Sequence, residues 1–108
     1  MSDLLDAIED FDENKVRQLL KEGAAVNMRG YGGITPLHLA VDSEAEEAIY
    51  RYDTKGDETP PDGKFVNLLV AYGADIKAKD DNGETPLDWA KQRNHLAAIE
   101  AMSHKNAS

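Results

Sequence analysis

TPLHLA at residues 35–40 (Thr35-Pro36-Leu37-His38-Leu39-Ala40) returns as TPLDWA at residues 85–90 (Thr85-Pro86-Leu87-Asp88-Trp89-Ala90), 50 positions later. A second pair keeps the same offset: LLKEGA at 19–24 and LVAYGA at 69–74. From the glycine of each ending to the threonine of the next start is 12 positions in both cases, Gly23 to Thr35 and Gly73 to Thr85. Self-similarity in fixed register marks a chain built from units that stack on one another.

Each anchor has a physical role. Threonine before proline starts a helix, because the hydroxyl caps free N–H groups and proline at the first helical position loses no intrahelical bond. Gly23 and Gly73 follow amphipathic runs and stop them, since glycine enters the left-handed region without a Cβ penalty. Between stop and start lie AAVNMRGYGGI and ADIKAKDDNGE, whose glycine and Asp-Asn-Gly turns suit a tight, extended, hairpin-like connection. The unit is helix, turn, helix, extended loop, and no such unit buries its apolar face alone.

TPLHLA, GADIKAKDDNGETPL and the LLxxGA ending together resemble the ankyrin repeat, whose period is about 33 residues. The resemblance implies an all-α ankyrin-repeat solenoid in one domain, residues 1–108. Residues 1–29 resemble an N-terminal capping repeat, with Asp6 where the family has an apolar residue. Residues 30–79 form the middle repeat, and 80–108 resemble a C-terminal capping repeat with Asp88 in the usual His place and a polar tail. The offset of 50 exceeds the period by about 17 residues. That surplus is an insertion, about 44–60, between the two helices of the middle repeat. Its first part, SEAEEAIYRY, sets Ala45, Ala48, Ile49 and Tyr52 at helical spacing and predicts that the first helix runs on. DTKGDETPPDG breaks it, and the second helix restarts near Lys64 with Phe65, Val66, Leu68 and Leu69 as its buried stripe.

With 108 residues there is enough chain for one modest core. Lys and Arg total 12 against 21 Asp and Glu, and the net charge of −9 disfavours phosphate backbones and anionic lipid as partners. Cysteine is absent, which removes disulfides, thiolate nucleophiles and Cys-based zinc sites and fits a reducing compartment. The N-terminus lacks the basic-then-apolar order of a secretion signal, and no apolar run approaches a membrane span. The expectation is a soluble, cytoplasmic monomer with no nucleic-acid or membrane partner.

Catalytic and metal readings fail on spacing. His38 is structural in the family the chain resembles, bonding around the TPLH turn. His95 and His104 lie nine apart, not at the i, i+4 spacing of a helical metal pair, and read as solvated. An EF-hand loop begun at Asp53 meets Lys55, Glu58 and Lys64 where it needs oxygen ligands and a glycine. Gly30, Gly32 and Gly33 lack the strand and the Lys-Ser or Lys-Thr of a phosphate loop. No enzyme, cofactor or metal site is expected. Trp89, in the place of a leucine, packs in the last repeat or anchors a partner.

The resemblance implies partner binding by hairpin tips and by the exposed part of the first helices. Carried onto this chain, the tips supply Tyr31, Gly32, Ile34, Asp81, Asn82 and Glu84, and the first helices Glu9, Asp10, Asp42, Ser43, Gln92 and Arg93. Glu44, Glu46 and Glu47 extend the same acidic line, and the insertion carries net charge −4. Tyr50 and Tyr52 either anchor a partner or cover the long loop. The leading expectation is a non-enzymatic protein-interaction module whose acidic concave face steers a basic partner. The alternatives are an inhibitor or immunity protein that neutralises a basic toxin or enzyme, a metal-binding or hydrolytic loop, and a fragment that stacks on further repeats.

Overall fold

The computed structural model describes the backbone of residues 3–107 and the side chains of residues 4–103. His104 and the polar tail therefore lie outside the described side chains. Among the described residues there are helices and turns but no strand. Three helix pairs follow one another: α1 (Asp3–Glu9) with α2 (Glu13–Lys21), α3 (Pro36–Lys55) with α4 (Lys64–Ala71), and α5 (Pro86–Gln92) with α6 (Leu96–Ala107). The first helices form one layer, with α3 between α1 and α5. Of the second helices, each packs on its own first helix, and α4 also packs on α6.

The repeated phrase does what its chemistry dictates. Thr35 Oγ1 accepts from the His38 N–H and His38 Nδ1 accepts from the Thr35 N–H, a reciprocal capping box. Thr85 and Asp88 build the same box one repeat later, with the Asp88 carboxylate in place of the imidazole. His38 adds something Asp88 does not. Its Nε2–H donates to the Glu84 carbonyl at 2.8 Å, tying the middle repeat to the last. This arrangement requires the neutral Nε2–H tautomer, since Nδ1 is already an acceptor.

The connecting loops are hairpins closed at equivalent places. The Gly30 N–H donates to the Ile34 carbonyl at 2.8 Å, and the Asp80 N–H to the Glu84 carbonyl at 2.9 Å. Adjacent tips are laced together: the Asp81 N–H donates to the Gly32 carbonyl, and Asn27 brackets the next loop through Gly73 and Asp75. Gly33 has φ +73°, and a Cβ there would stand 2.5 Å from Asp81 Oδ1, so only glycine lets the tips approach this closely.

Between the layers lies one core, in which Ile8, Val16, Leu37, Phe65, Leu69 and Met102 are almost wholly excluded from water. Phe65 meets Phe11 edge-on at 4.7 Å between centroids. Phe11 holds a left-handed backbone (φ 56°) at the α1–α2 turn, a conformation disfavoured for a bulky residue and offset here by that packing.

The insertion is mostly helix. Whereas α1 and α5 each have 7 residues, α3 has 20, so that Ser43–Lys55 continues about 20 Å past the level at which the other first helices end. A left-handed Gly56 stops it, and the segment to Gly63 leads into α4, which begins at Lys64 as the sequence predicts. Of the stripe expected on the extension, Ala45 and Ala48 are buried, but Ile49 and Tyr52 are 60% and 58% exposed.

Candidate partner-binding face

Helix α3 is the centre of the candidate site, and its first task is to hold itself in place. Gly63 precedes α4 without a capping side chain. Glu44 supplies the cap from a distance: its Oε2 accepts from the Phe65 N–H at 2.7 Å and from the Val66 N–H at 3.3 Å. Its Oε1 lies 2.7 Å from His95 Nε2. His95 in turn opens α6 by accepting the Ala98 N–H at Nδ1, which leaves Nε2 to carry the proton and donate to Glu44. One carboxylate thus joins α3 to the starts of α4 and α6. Burial raises the Glu44 pKa, and the His95 contact opposes that rise.

Two sequence expectations are overturned here. Glu44 is 1% exposed and is not part of a partner-binding face. His95 is fully buried, not solvated. Both misreadings have the same cause, because the partners lie 51 residues apart and neither spacing nor composition links them. The signal that existed was a partial deficit: α4 starts at a glycine, and Asp62 before it takes only the Lys64 N–H, which leaves the Phe65 and Val66 N–H groups to a distant acceptor.

The acidic line is also less bare than its charge count. Arg51 takes Glu47 at 2.8 Å and Asp57 at 3.2 Å and donates to the Thr59 carbonyl, latching the return loop onto α3. Bonds from the Thr59 hydroxyl and N–H, with Arg51, lower the Asp57 pKa to about 2. Arg93 pairs with Asp42 at 3.0 Å and stacks over Trp89 at 4.6 Å. Gln92 donates to Glu84. Among the described residues Glu9, Asp10, Glu46, Asp53 and Glu58 form no ion pair. The neighbouring Asp42 carboxyl raises the Glu46 pKa, and the Arg93 charge opposes that rise.

Trp89 is half-buried. Its Nε1–H donates to Asp80 at 3.1 Å and its ring meets His38 edge-on, so one face packs and the Arg93 side remains near the surface. Tyr31, at 97% exposure, projects from the middle hairpin tip, with Asp81 and Asn82 exposed on the next. Ile34 and Ser43 are half-buried. Tyr50 and Tyr52, each more than half exposed, leave the apolar surface of the extension uncovered on two sides. On one side Tyr50 faces a shallow depression shared with Glu9, Phe11 and Ser43. On the other, Ile49 and Tyr52 line a groove that reaches Arg93 and the return loop. Among the described residues no group of three or more His, Asp or Glu gathers to hold a metal, and no helix is long and apolar enough to cross a membrane.

Fold and sequence agree with known proteins. An ankyrin repeat domain from Acinetobacter baumannii superimposes with a TM-score of 0.71 at 26% identity, over 91% of this chain and 44% of that one. The chain belongs to the ankyrin repeat family. It is 38% identical over 89 residues to Protein fem-1 homolog A of Bos taurus and 35% identical over 87 residues to Ankyrin repeat domain-containing protein 63 of Homo sapiens. These alignments cover 74% and 81% of this chain, which spans only 12% and 18% of the two relatives. No family model matches the chain. As an ankyrin repeat protein it has the architecture of a protein-interaction module, and its long α3 is the element by which it departs from a regular repeat.

Proposed function

We propose that this ankyrin repeat protein is a non-enzymatic, cytoplasmic binding module that holds another protein on the side formed by α1, α3 and α5, between the hairpin tips and the extension of α3. One observation carries the reading: Ile49, Tyr50 and Tyr52 stand 60%, 64% and 58% exposed on a helix whose base is locked by buried contacts. A rigid element that keeps large apolar side chains in water has the character of a recognition surface. The unpaired carboxylates Glu9, Asp10, Glu46, Asp53 and Glu58 favour a partner with a basic surface, with Arg51 and Arg93 moderating the field. Tyr31, Ile34, Asp81, Asn82 and Trp89 supply contacts at the tips and the last repeat.

Affinity capture from the native source tests this reading. The wild type is compared with a Tyr31→Ala, Asn82→Ala variant and with an Ile49→Asp, Tyr52→Ala variant. A protein enriched by the wild type, depleted with either variant and released by salt supports it. Capture indifferent to both variants would remove the proposed face. If the captured protein is an enzyme or toxin, its activity in the complex distinguishes an inhibitor from an adaptor.

A further inference from the structure

The groove between the outer half of α3 and its return loop is where we infer a docking slot for a short, basic, amphipathic protein segment, with an apolar side chain seated on Ile49 and Tyr52 and a Lys or Arg reaching Glu46. This inference rests on the protein-binding reading above and adds its place and chemistry.

The groove encloses about 540 Å³. Its floor follows the helical stripe Ala45, Ala48, Ile49, Tyr52, at offsets of three, four and seven residues, and Thr59 and Pro61 form the facing wall. The two alanines are small and buried, so the floor is low where Ile49 and Tyr52 rise from it. The wall is preformed, because Arg51 holds the loop through Asp57 and the Thr59 carbonyl and the Thr59 N–H is fixed on Asp57. Little ordering is then left for the moment of binding.

Charge selects the occupant. The two guanidinium groups nearest the groove are already engaged, Arg51 with Glu47 and Asp57, and Arg93 with Asp42. Glu46 and Glu58 remain at the rim and form no ion pair among the described residues, the nearby Arg93 being bound to Asp42. The Asp42 carboxyl beside Glu46 raises the Glu46 pKa more than Arg93 lowers it, so an incoming ammonium or guanidinium meets a carboxyl pair that one arginine balances only in part. A second copy of this chain is a poor occupant, since it brings the same net charge of −9.

The test uses the full chain, labelled with nitrogen-15, and three synthetic peptides: one of Leu, Phe and Lys, one with Glu replacing Lys, and one with Gly replacing the apolar residues. The first peptide is expected to shift the amides of Ala45 to Tyr52 and of Thr59 saturably, leaving Tyr31 and Asn82 unmoved. Ile49→Asp, at an exposed position that leaves the fold intact, should weaken that peptide about tenfold, and Glu46→Gln should weaken it and flatten its salt dependence. Equal shifts with the Gly–Lys peptide would reduce the effect to charge alone and overturn the slot. So would concentration-dependent shifts at the same amides without peptide, the mark of a second copy. Shifts confined to the tips would also overturn it while leaving the binding-module reading standing; that reading falls only if the captured partner ignores both variants described above.

Discussion

Replacing Glu44 by alanine leaves the His95 Nε2–H and the first N–H groups of α4 facing a sealed interior. Removing one member of a buried, charge-assisted set costs about 3 kcal/mol. Urea unfolding of Glu44→Ala should show that loss, and Glu44→Gln, which keeps one acceptor oxygen, should lose less. His38 gives a pH signature of the same sign as a salt-bridged carboxylate, at higher pH. Burial lowers its pKa below the ordinary 6.5, so the unfolded chain binds the proton that the fold resists. Its contribution is present above pH 6.5 and is lost as pH falls through the folded pKa, with a slope of at most about 1.4 kcal/mol per pH unit from this one group. Melting curves between pH 7.5 and pH 5 should fall less steeply for His38→Asn than for the wild type. The capping role of His38 was legible in TPLH because capping is local, three residues wide. The role of Glu44 was not, because a carboxylate in SEAEEA reads as solvated until the fold sets His95 against it.

Arg51 is the latch of the insertion, and the latch has a measurable consequence at Asp57. In the wild type the Asp57 carboxyl should titrate at about 2, held down by Thr59 and Arg51. Whatever stability that interaction contributes is present above the ordinary 3.8 and lost as pH falls through about 2. Carbon-detected NMR titration of Arg51→Ala should find Asp57 moved back toward 3.8, with faster amide exchange in residues 56–63 and little change in the core. An unmoved Asp57 would mean that the Thr59 turn alone holds the carboxyl. The continuation of α3 was legible in its helix formers, and the start of α4 at Lys64 in the apolar run that follows. That Ile49 and Tyr52 would be exposed was not legible: at helical spacing they match Ala45 and Ala48, and only the position of the neighbouring repeats decides which residues are covered.

At the scale of the molecule, stacking explains why the repeat could be read from so little sequence. The middle and last units reuse the same cap and hairpin closure, so two copies of TPL at an offset of 50 identify the architecture and size the insertion together. Charge was the less faithful guide. The count of −9 is a property of the chain, whereas the field a partner meets depends on which carboxylates Arg17, Arg51, Arg93 and His95 already engage. The proposed binding face is the side centred on α3 and its extension. Hydrogen exchange of the captured complex, compared with the free protein, locates the surface the partner covers. Slowed exchange is expected along Ser43–Lys55 and at the hairpin tips around Tyr31 and Asn82, with α2 and α6 unchanged; protection confined to α2, α4 and α6, with α3 exchanging as it does in the free protein, would overturn that face.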